Sequence, residues 1–228
     1  MRAPEIDARL ASLAELVRQD AVFADIGTDH AYLPLFLLRE GRISTAAATD
    51  INAGPLEVAK ENAERAGFFD RITFRLCDGA AELSELGLTD VAIAGMGGEL
   101  IAEIIDKAPF LKNENIRLIL QPMSRARELR EYLSASGFEI EREVYSESAG
   151  KCYVGMQSRY TGRVIELSPL RAELGDSLRE YHSSAAAKKY ADKRISALRR
   201  RAEGKIKGGD TMPYECEILK LLGEAGFL

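Results

Sequence analysis

Residues 23–32 read Phe23-Ala24-Asp25-Ile26-Gly27-Thr28-Asp29-His30-Ala31-Tyr32, and this stretch decides the fold of the chain. An apolar run over 21–24 leads into an acid and a tight glycine turn, and a helical pattern follows over 32–38. A second short run over 45–49 ends in Asp50. Strand, loop, helix, strand and acid in this order predict a nucleoside-cofactor site at the carboxyl edge of a parallel sheet.

The residues around Gly27 distinguish between cofactors. A dinucleotide site usually carries G-x-G-x-x-G, because a pyrophosphate must approach bare backbone and a helix N-terminus. Here Gly27 stands alone between Asp25 and Asp29, whose carboxylates repel a pyrophosphate. They favour S-adenosylmethionine, which has a sulfonium, an ammonium group and no phosphate, and Asp50 suits its ribose hydroxyls. The alternative is that the two acids only shape the turn and cap the next helix.

The composition sets limits on the protein class. The chain has 228 residues, 46% of them apolar, which is enough for one large domain or a domain with a small addition. Three widely spaced cysteines without a C-x-x-C motif, and only two histidines, argue against zinc and for a reducing compartment. Charged residues interrupt the first twenty positions, and no apolar run approaches a membrane span. We therefore expect a cytoplasmic protein with no metal and no membrane partner.

Strand and helix patterns alternate over most of the chain. Further strands are predicted over 72–76, 91–94 and 116–120, and a final pair over 138–146 and 151–157 is joined by a short turn. This order predicts a doubly wound α/β domain with a seven-stranded, mostly parallel sheet and one reversed strand near an edge. The candidate pocket lies where four strands end, at Asp25 to Gly27, Asp50, Asp78-Gly79, and Gly95 to Gly98.

A helical segment with a different charge follows the predicted sheet. The sequence divides into a cofactor-binding domain over 1–167 and a coiled-coil-like helical appendage over 168–228. Residues 188–207 contain nine basic and two acidic residues, a net charge of +7, which leaves −12 for the rest of the chain. Such a segment is typical of contact with the phosphates of a folded RNA, although a solvated helix face is the alternative. The predicted contacts are Lys188, Lys189, Lys193, Arg194, Arg199 and Arg200.

The motifs together resemble the bacterial tRNA (adenine-22-N1)-methyltransferases. The resemblance rests on the D-I-G-T-D-H-A-Y-L-P string over 25–34 and on the A-G-M-G-G string over 94–98. It continues through L-I-L-Q-P over 118–122 and G-K-C-Y over 150–153, and it covers essentially the whole chain. It implies the seven-stranded, Rossmann-like methyltransferase fold with a helical C-terminal extension, S-adenosylmethionine as cofactor and tRNA as partner.

The resemblance also implies roles for individual residues. The loop from Asp25 to Asp29 would hold the methionine part of the donor, with Gly95 close to it. Asp50 would hold the ribose, and Asp78 with Gly79 would meet the adenine. The sequence departs from the family pattern at Met123, where an asparagine usually follows Gln-Pro, and this places the contact with the target base in question.

Methyl transfer to adenine N1 needs alignment more than base catalysis, because N1 already carries a lone pair. The product base is cationic, so Asp29 is the candidate for stabilising it, with His30 or Tyr32 near the base. Gln121 and Pro122 would touch the substrate or shape the pocket wall. The rival interpretations are a nicotinamide-dependent oxidoreductase, a methyltransferase for another RNA or a small molecule, and a non-catalytic RNA-binding protein. We expect a monomer.

Overall fold

A single seven-stranded sheet forms the body of the structure, a computed structural model that describes residues 5–228. The strands are β1 (Phe23–Ile26), β2 (Ala46–Asp50), β3 (Ile72–Leu76), β4 (Asp90–Gly97), β5 (Arg117–Ser124), β6 (Phe138–Ser148) and β7 (Lys151–Tyr160). They lie in the order β3-β2-β1-β4-β5-β7-β6, and β7 is antiparallel to both of its neighbours. The predicted doubly wound α/β fold, with one reversed strand next to an edge, is confirmed.

Helices cover both faces of this sheet. The helices are α1 (Ala8–Ala14), α2 (Tyr32–Arg39), α3 (Ala53–Ala66), α4 (Gly98–Lys107), α5 (Ala126–Ala135), α6 (Pro169–Leu174), α7 (Ala185–Lys207) and α8 (Tyr214–Glu224). Short 3-10 turns occupy Phe69–Arg71, Ala81–Leu86, Pro109–Leu111 and Gly175–Ser177. One apolar core lies between the sheet and the segment of α1, α2 and α3, and a second lies between the sheet, α4 and α5. Within residues 5–228, no helix has both the length and the apolar character that a membrane crossing requires.

Several element bounds differ from the sequence-based prediction. Strand β1 is Phe23–Ile26 rather than 21–24, because its parallel partners on β2 and β4 begin opposite Phe23 and continue past the buried Asp25. Strands β4 and β5 each run several residues further, and a register shift after Ala94 keeps them paired. Helix α1 begins at Ala8, where Asp7 caps it by accepting from the Leu10 amide.

The β6–β7 hairpin extends beyond the rest of the sheet. Pairing between β5 and β7 ends at Leu120 and Met156, whereas β6 and β7 stay paired as far as Ser148 and Lys151. The turn at Ala149 and Gly150 has two positive φ angles, as a two-residue hairpin turn requires. Because β7 is antiparallel to β5, this hairpin tip (residues 146–153) projects from the sheet edge at which β5 ends.

The C-terminal helices form a small core of their own. Its buried residues come from three helices and are Leu174, Ile195, Leu198, Ile218 and Leu222. Leu170, Leu174 and Leu178 recur at helical spacing, and this pattern continues to 181, but α6 ends at Leu174. The cause is a competing bond, because the amide of Asp176 donates to the Glu143 carboxylate on β6 at 2.7 Å.

A buried ion pair fastens this segment to the sheet. Arg130 on α5 donates from Nε to Glu143 at 2.7 Å, and both side chains are only 1% exposed. Nη1 of Arg130 also donates to the Ala172 carbonyl at 3.1 Å. Arg130 and Glu143 therefore have partners on both sides of the predicted boundary at 167/168, and that boundary stays a prediction.

Candidate functional site

A crevice of about 480 Å³ opens at the carboxyl ends of β1, β2, β3 and β4. This volume lies in the range of small-molecule binding sites. The crevice brings together residues that are far apart in the sequence, and their roles toward a ligand stay predictions. The predicted site residues that line it are Asp25, Gly27, Asp29, His30, Tyr32, Asp50, Asp78, Gly79 and Gly95.

Asp25 is the most perturbed group in the crevice. Its side chain accepts a hydrogen bond from Thr28 Oγ1 at 2.7 Å, and the residue is only 5% exposed. Burial raises the pKa of the Asp25 carboxyl from 3.8 to about 7, against the opposing effects of the Thr28 hydroxyl and the Arg9 guanidinium. The nearby carboxylates of Asp29 and Asp50 raise this pKa further. A cationic ligand would relieve this electrostatic cost, whereas an anionic ligand would increase it.

The turn after β1 favours glycine at residue 27, because of its backbone angle and because of a close side chain. Gly27 has φ +68°, and a Cβ built there would lie 2.1 Å from Cε of Met96 on β4. The following amide, of Thr28, donates to the Thr49 carbonyl at 2.8 Å and ties this loop to β2. The bare backbone at Gly27 therefore faces Met96.

The acids after β2 and β3 differ in exposure. Asp50 is buried, and its Oδ1 accepts from the Asn52 amide at 2.8 Å. Asp78 is exposed and pairs with Lys107 at 2.9 Å. Exposed pairs of this kind contribute little, so Asp78 can exchange Lys107 for a ligand at small cost. A ligand that bridges β2 and β3 thus meets one fixed carboxylate and one adaptable carboxylate.

The predicted catalytic residues lie together on the loop that leads into α2. Asp29 and Ala31 both have left-handed φ angles, +53° and +57°. The Asp29 carboxylate lies 3.6 Å from His30 Nε2, and the His30 and Tyr32 rings are 5.3 Å apart. Among the described residues, the buried His30 Nδ1 has no hydrogen-bond partner. Asp29 and the Tyr32 ring are exposed, so a planar group can approach both.

A hydrogen bond connects Arg9 in the crevice wall to Gln121 on β5. Arg9 lines the crevice and was not predicted as a site residue. Its Nη1 donates at 2.9 Å to Oε1 of Gln121, and the same oxygen accepts from the Gly95 amide at 3.1 Å. Gln121 is only 1% exposed and Pro122 is also buried, so both support the wall behind Gly95 rather than face the crevice. Their burial favours the wall-forming alternative, and the substrate contact stays a prediction. No local pattern marked Arg9, because its partner is 112 positions away.

The predicted RNA-binding residues on α7 divide into paired and unpaired groups. Lys189 and Lys193 contact the hairpin tip, through Glu147 and the Gly150 carbonyl. Lys188 pairs with Asp192, and Arg194 donates to Glu173, a buried carboxylate of α6. Arg194 is therefore held inward, which counts against its predicted contact with RNA. The residues that are exposed and have no carboxylate partner within residues 5–228 include Arg199 and Arg200.

The part of the chain that the structure describes, residues 5–228, has no recognisable metal-binding group. It contains no cluster of three or more His, Cys, Asp or Glu residues that could hold a metal ion.

Comparisons with known proteins identify relatives over most of the chain. The family model described as "Methyltransferase domain" matches residues 6–156. The Bacillus subtilis tRNA (adenine(22)-N(1))-methyltransferase is 38% identical over 153 residues, which are 67% of this chain and 64% of that protein. A putative tRNA methyltransferase of Mycoplasma pneumoniae is 34% identical over 64% of this chain and 68% of its own length.

A solved structure extends the similarity to the C-terminal helices. It is that of a putative tRNA (m1A22) methyltransferase of Streptococcus pneumoniae in complex with S-adenosyl-L-methionine. The two chains are 33% identical and superpose with a TM-score of 0.80, over 94% of this chain and 100% of the other.

Proposed function

Because this chain belongs to the methyltransferase family, we propose that it transfers a methyl group from S-adenosylmethionine to N1 of an adenine at position 22 of tRNA. The observation that carries the proposal is the crevice lined by Asp25, Asp29, Asp50 and Asp78. Four carboxylates favour a donor that carries a sulfonium and an ammonium group. The position of the target adenine is taken from the Bacillus subtilis tRNA (adenine(22)-N(1))-methyltransferase, to which this chain is 38% identical.

The residues present fit this donor. Gly27 and Gly95 leave bare backbone next to Asp25, at the ends of β1 and β4, where the methionyl part would lie. Asp50 at the end of β2 would accept from the ribose hydroxyls, and Asp78 with Gly79 would face the adenine. When bound, S-adenosylmethionine supplies an electrophilic methyl group. The protein holds the acceptor nitrogen in line with that group and excludes water from the crevice.

Asp29 is the side chain proposed to stabilise the positive charge that develops on the adenine. Its carboxylate is exposed at the crevice mouth, and a backbone with φ +53° holds it there. The exposed Tyr32 ring offers a surface on which the base can stack. No side chain needs to remove a proton from N1, since the unmodified base carries none there.

The decisive experiment is transfer of a labelled methyl group to unmodified tRNA transcripts, followed by mapping of the modified base. We expect one modified adenine, and Asp29→Asn should lower kcat about 10- to 100-fold. Asp70→Asn is the matched control, because Asp70 is an exposed acid outside the crevice. Transfer to a different base or to no RNA, or equal rates for both variants, would contradict the assignment.

The exposed arginines on α7 are proposed to contact tRNA phosphates. We expect Arg199→Gln with Arg200→Gln to weaken tRNA binding and to reduce its salt slope by about two, as loss of two phosphate contacts requires. The control Arg65→Gln removes an exposed arginine of α3. A salt slope unchanged relative to the control would refute the contact. The test uses the full chain because the C-terminal helices share buried bonds with the sheet.

The proposal also covers the cellular compartment and the oligomeric state of the protein. We propose a monomer in the cytoplasm, where the three free cysteines stay reduced. Sedimentation at equilibrium, with and without tRNA, tests the oligomeric state.

A further inference from the structure

Arg9 is the one arginine or lysine among the described residues that line the crevice. It comes from α1, outside the loops that follow the strands, and its side chain is 22% exposed. The charged residues that line the crevice with it include Asp25, Asp29, Asp50 and Asp78, and its guanidinium lowers the pKa of the Asp25 carboxyl. The positive charge of Arg9 would repel a cationic ligand, so its presence in this crevice requires an explanation.

Arg9 lies at the opposite end of the crevice from Asp50 and Asp78, and this position suggests an explanation. Its hydrogen bond to Gln121 places it at the end of β5, and Gln121 connects it to Gly95 on β4. Asp50 and Asp78 follow β2 and β3, on the other side of β1 in the strand order. The β2–β3 end of the crevice thus carries Asp50 and Asp78, whereas the Arg9 guanidinium lies toward β4 and β5, with Asp25 on β1 between the two ends.

The proposed donor has the complementary distribution of charge. Its adenosine end offers only hydroxyl and base groups, and its methionyl end carries an ammonium group and a carboxylate. If the ribose lies at Asp50, the methionyl end lies toward β1 and β4. A carboxylate there would be repelled by Asp25 and Asp29 unless a cation accompanied it.

We propose that Arg9 binds the carboxylate of the donor's methionyl part, an inference that rests on the proposed function. A guanidinium carries five N–H donors, and the bond to Gln121 uses one of them. The nearest acid of α1, Asp7, lies 3.6 Å from Nε, outside hydrogen-bond range. N–H groups therefore remain for a charge-assisted pair, the strongest class of hydrogen bond in proteins.

The surroundings of α1 hold Arg9 in place before a ligand binds. The Ser12 hydroxyl lies 3.2 Å from that of Ser146, and the Ser148 hydroxyl donates to Asp7 at 3.1 Å, so α1 is fastened to the hairpin tip. The Tyr153 ring of the same tip lies 6.0 Å from the Arg9 guanidinium carbon. Gln121 and the hairpin tip together restrict the side chain, which reduces the entropy lost on binding.

The test compares two ligands that differ at the carboxylate alone, S-adenosylmethionine and its decarboxylated analogue, by calorimetry at pH 8.5. At this pH, which is above the Asp25 pKa of about 7, the Asp25 carboxyl of the wild type is ionised. Arg9→Gln should weaken S-adenosylmethionine binding about 10- to 100-fold and analogue binding by less than about threefold. Arg9→Lys keeps the charge and should recover part of the loss. Arg65→Gln, an exposed arginine of α3, should bind both ligands like the wild type.

Each outcome separates the two proposals. If the wild type binds no S-adenosylmethionine, the proposed function fails. If the wild type binds it and Arg9→Gln weakens both ligands equally, or neither, the carboxylate contact is overturned while the function stands. The thermal midpoint of each variant is measured in parallel. If Arg9→Gln does not fold, the two ligands are compared on Arg9→Lys instead. A loss of affinity confined to S-adenosylmethionine would support the contact, and an equal change in affinity for both ligands would refute it.

Discussion

Donor binding should depend on pH through the charge of Asp25. Burial raises the pKa of this carboxyl to about 7, with Thr28 and Arg9 opposing the shift and Asp29 and Asp50 reinforcing it. The ionised form attracts the cationic groups of the proposed donor, and the protonated form does not. Binding below pH 7 must therefore release a proton, and the affinity for S-adenosylmethionine should rise with pH.

The size of this effect follows from a pKa near 7. At pH 6 about one Asp25 in ten is ionised, so the affinity should be about tenfold weaker than at pH 8, equivalent to about 1.4 kcal/mol. Binding should release about 0.9 proton per donor at pH 6 and about 0.1 at pH 8. The slope should flatten above pH 8, where ionisation is complete.

Calorimetry at pH 6, 7 and 8 in two buffers of different ionisation enthalpy measures both quantities. Asp25→Asn should abolish the proton release and flatten the pH profile, while Asp70→Asn should keep both. Binding without proton release at pH 6, or an unchanged profile in Asp25→Asn, would show that Asp25 is already ionised or does not sense the donor.

The same carboxyl should influence folding stability in the opposite direction. Its pKa is higher in the folded chain than its ordinary value of 3.8, so protonation favours the folded state. This contribution is complete below pH 3.8 and is lost as the pH rises through about 7. The difference corresponds to about 4 kcal/mol at most, so Asp25→Asn should be more stable than the wild type at pH 8 by up to that amount. Urea unfolding at pH 5 and pH 8 measures it, and equal stabilities at pH 8 would contradict the burial argument.

Two further predictions concern packing. Arg130→Met should lower the free energy of unfolding by about 3–5 kcal/mol, because it leaves the buried Glu143 carboxylate without its cation. Adding Glu143→Gln should restore part of the loss. Gly98→Ala should cost about 1–3 kcal/mol, because a Cβ there would lie 2.4 Å from the Arg125 carbonyl oxygen. Gly204→Ala is the control on α7, where a Cβ meets nothing within 4 Å, and it should add up to about 1 kcal/mol.

Chemical denaturation measures all four variants. An Arg130→Met protein as stable as the wild type would show that the ion pair contributes nothing net. Equal effects of the two alanine substitutions would show that α4 does not press on the start of α5.

The centre of the sheet could be predicted because strands β1, β2, β4 and β5 are largely buried and rich in apolar residues. The runs that became β1, β2, β3 and β4 are each followed by or end in an acid or a glycine, and those ends form the crevice. The prediction stopped β1 too early for the same reason, since a carboxylate is rarely buried inside a strand. Asp25 is an exception that the Thr28 hydroxyl makes tolerable.

Features that depend on distant partners could not be predicted. Arg9 faces the crevice because Gln121 accepts its hydrogen bond, and Arg194 turns inward because α6 offers Glu173. The periodicity over 170–181 is helical, yet the amide of Asp176 finds the Glu143 carboxylate. In each case a contact between remote segments overrides the local pattern, and a single sequence carries no record of such contacts.

The bonds of Arg130 and Glu143 to α6 and the turn after it have a consequence for how this architecture can be rearranged. Deleting the C-terminal helices, or grafting them onto another sheet, would remove two hydrogen-bond partners. The Arg130 guanidinium would lose the Ala172 carbonyl, and the Glu143 carboxylate would lose the Asp176 amide. The helices are therefore not an interchangeable module. A chimaera would have to inherit α5, β6 and the C-terminal helices together as one unit.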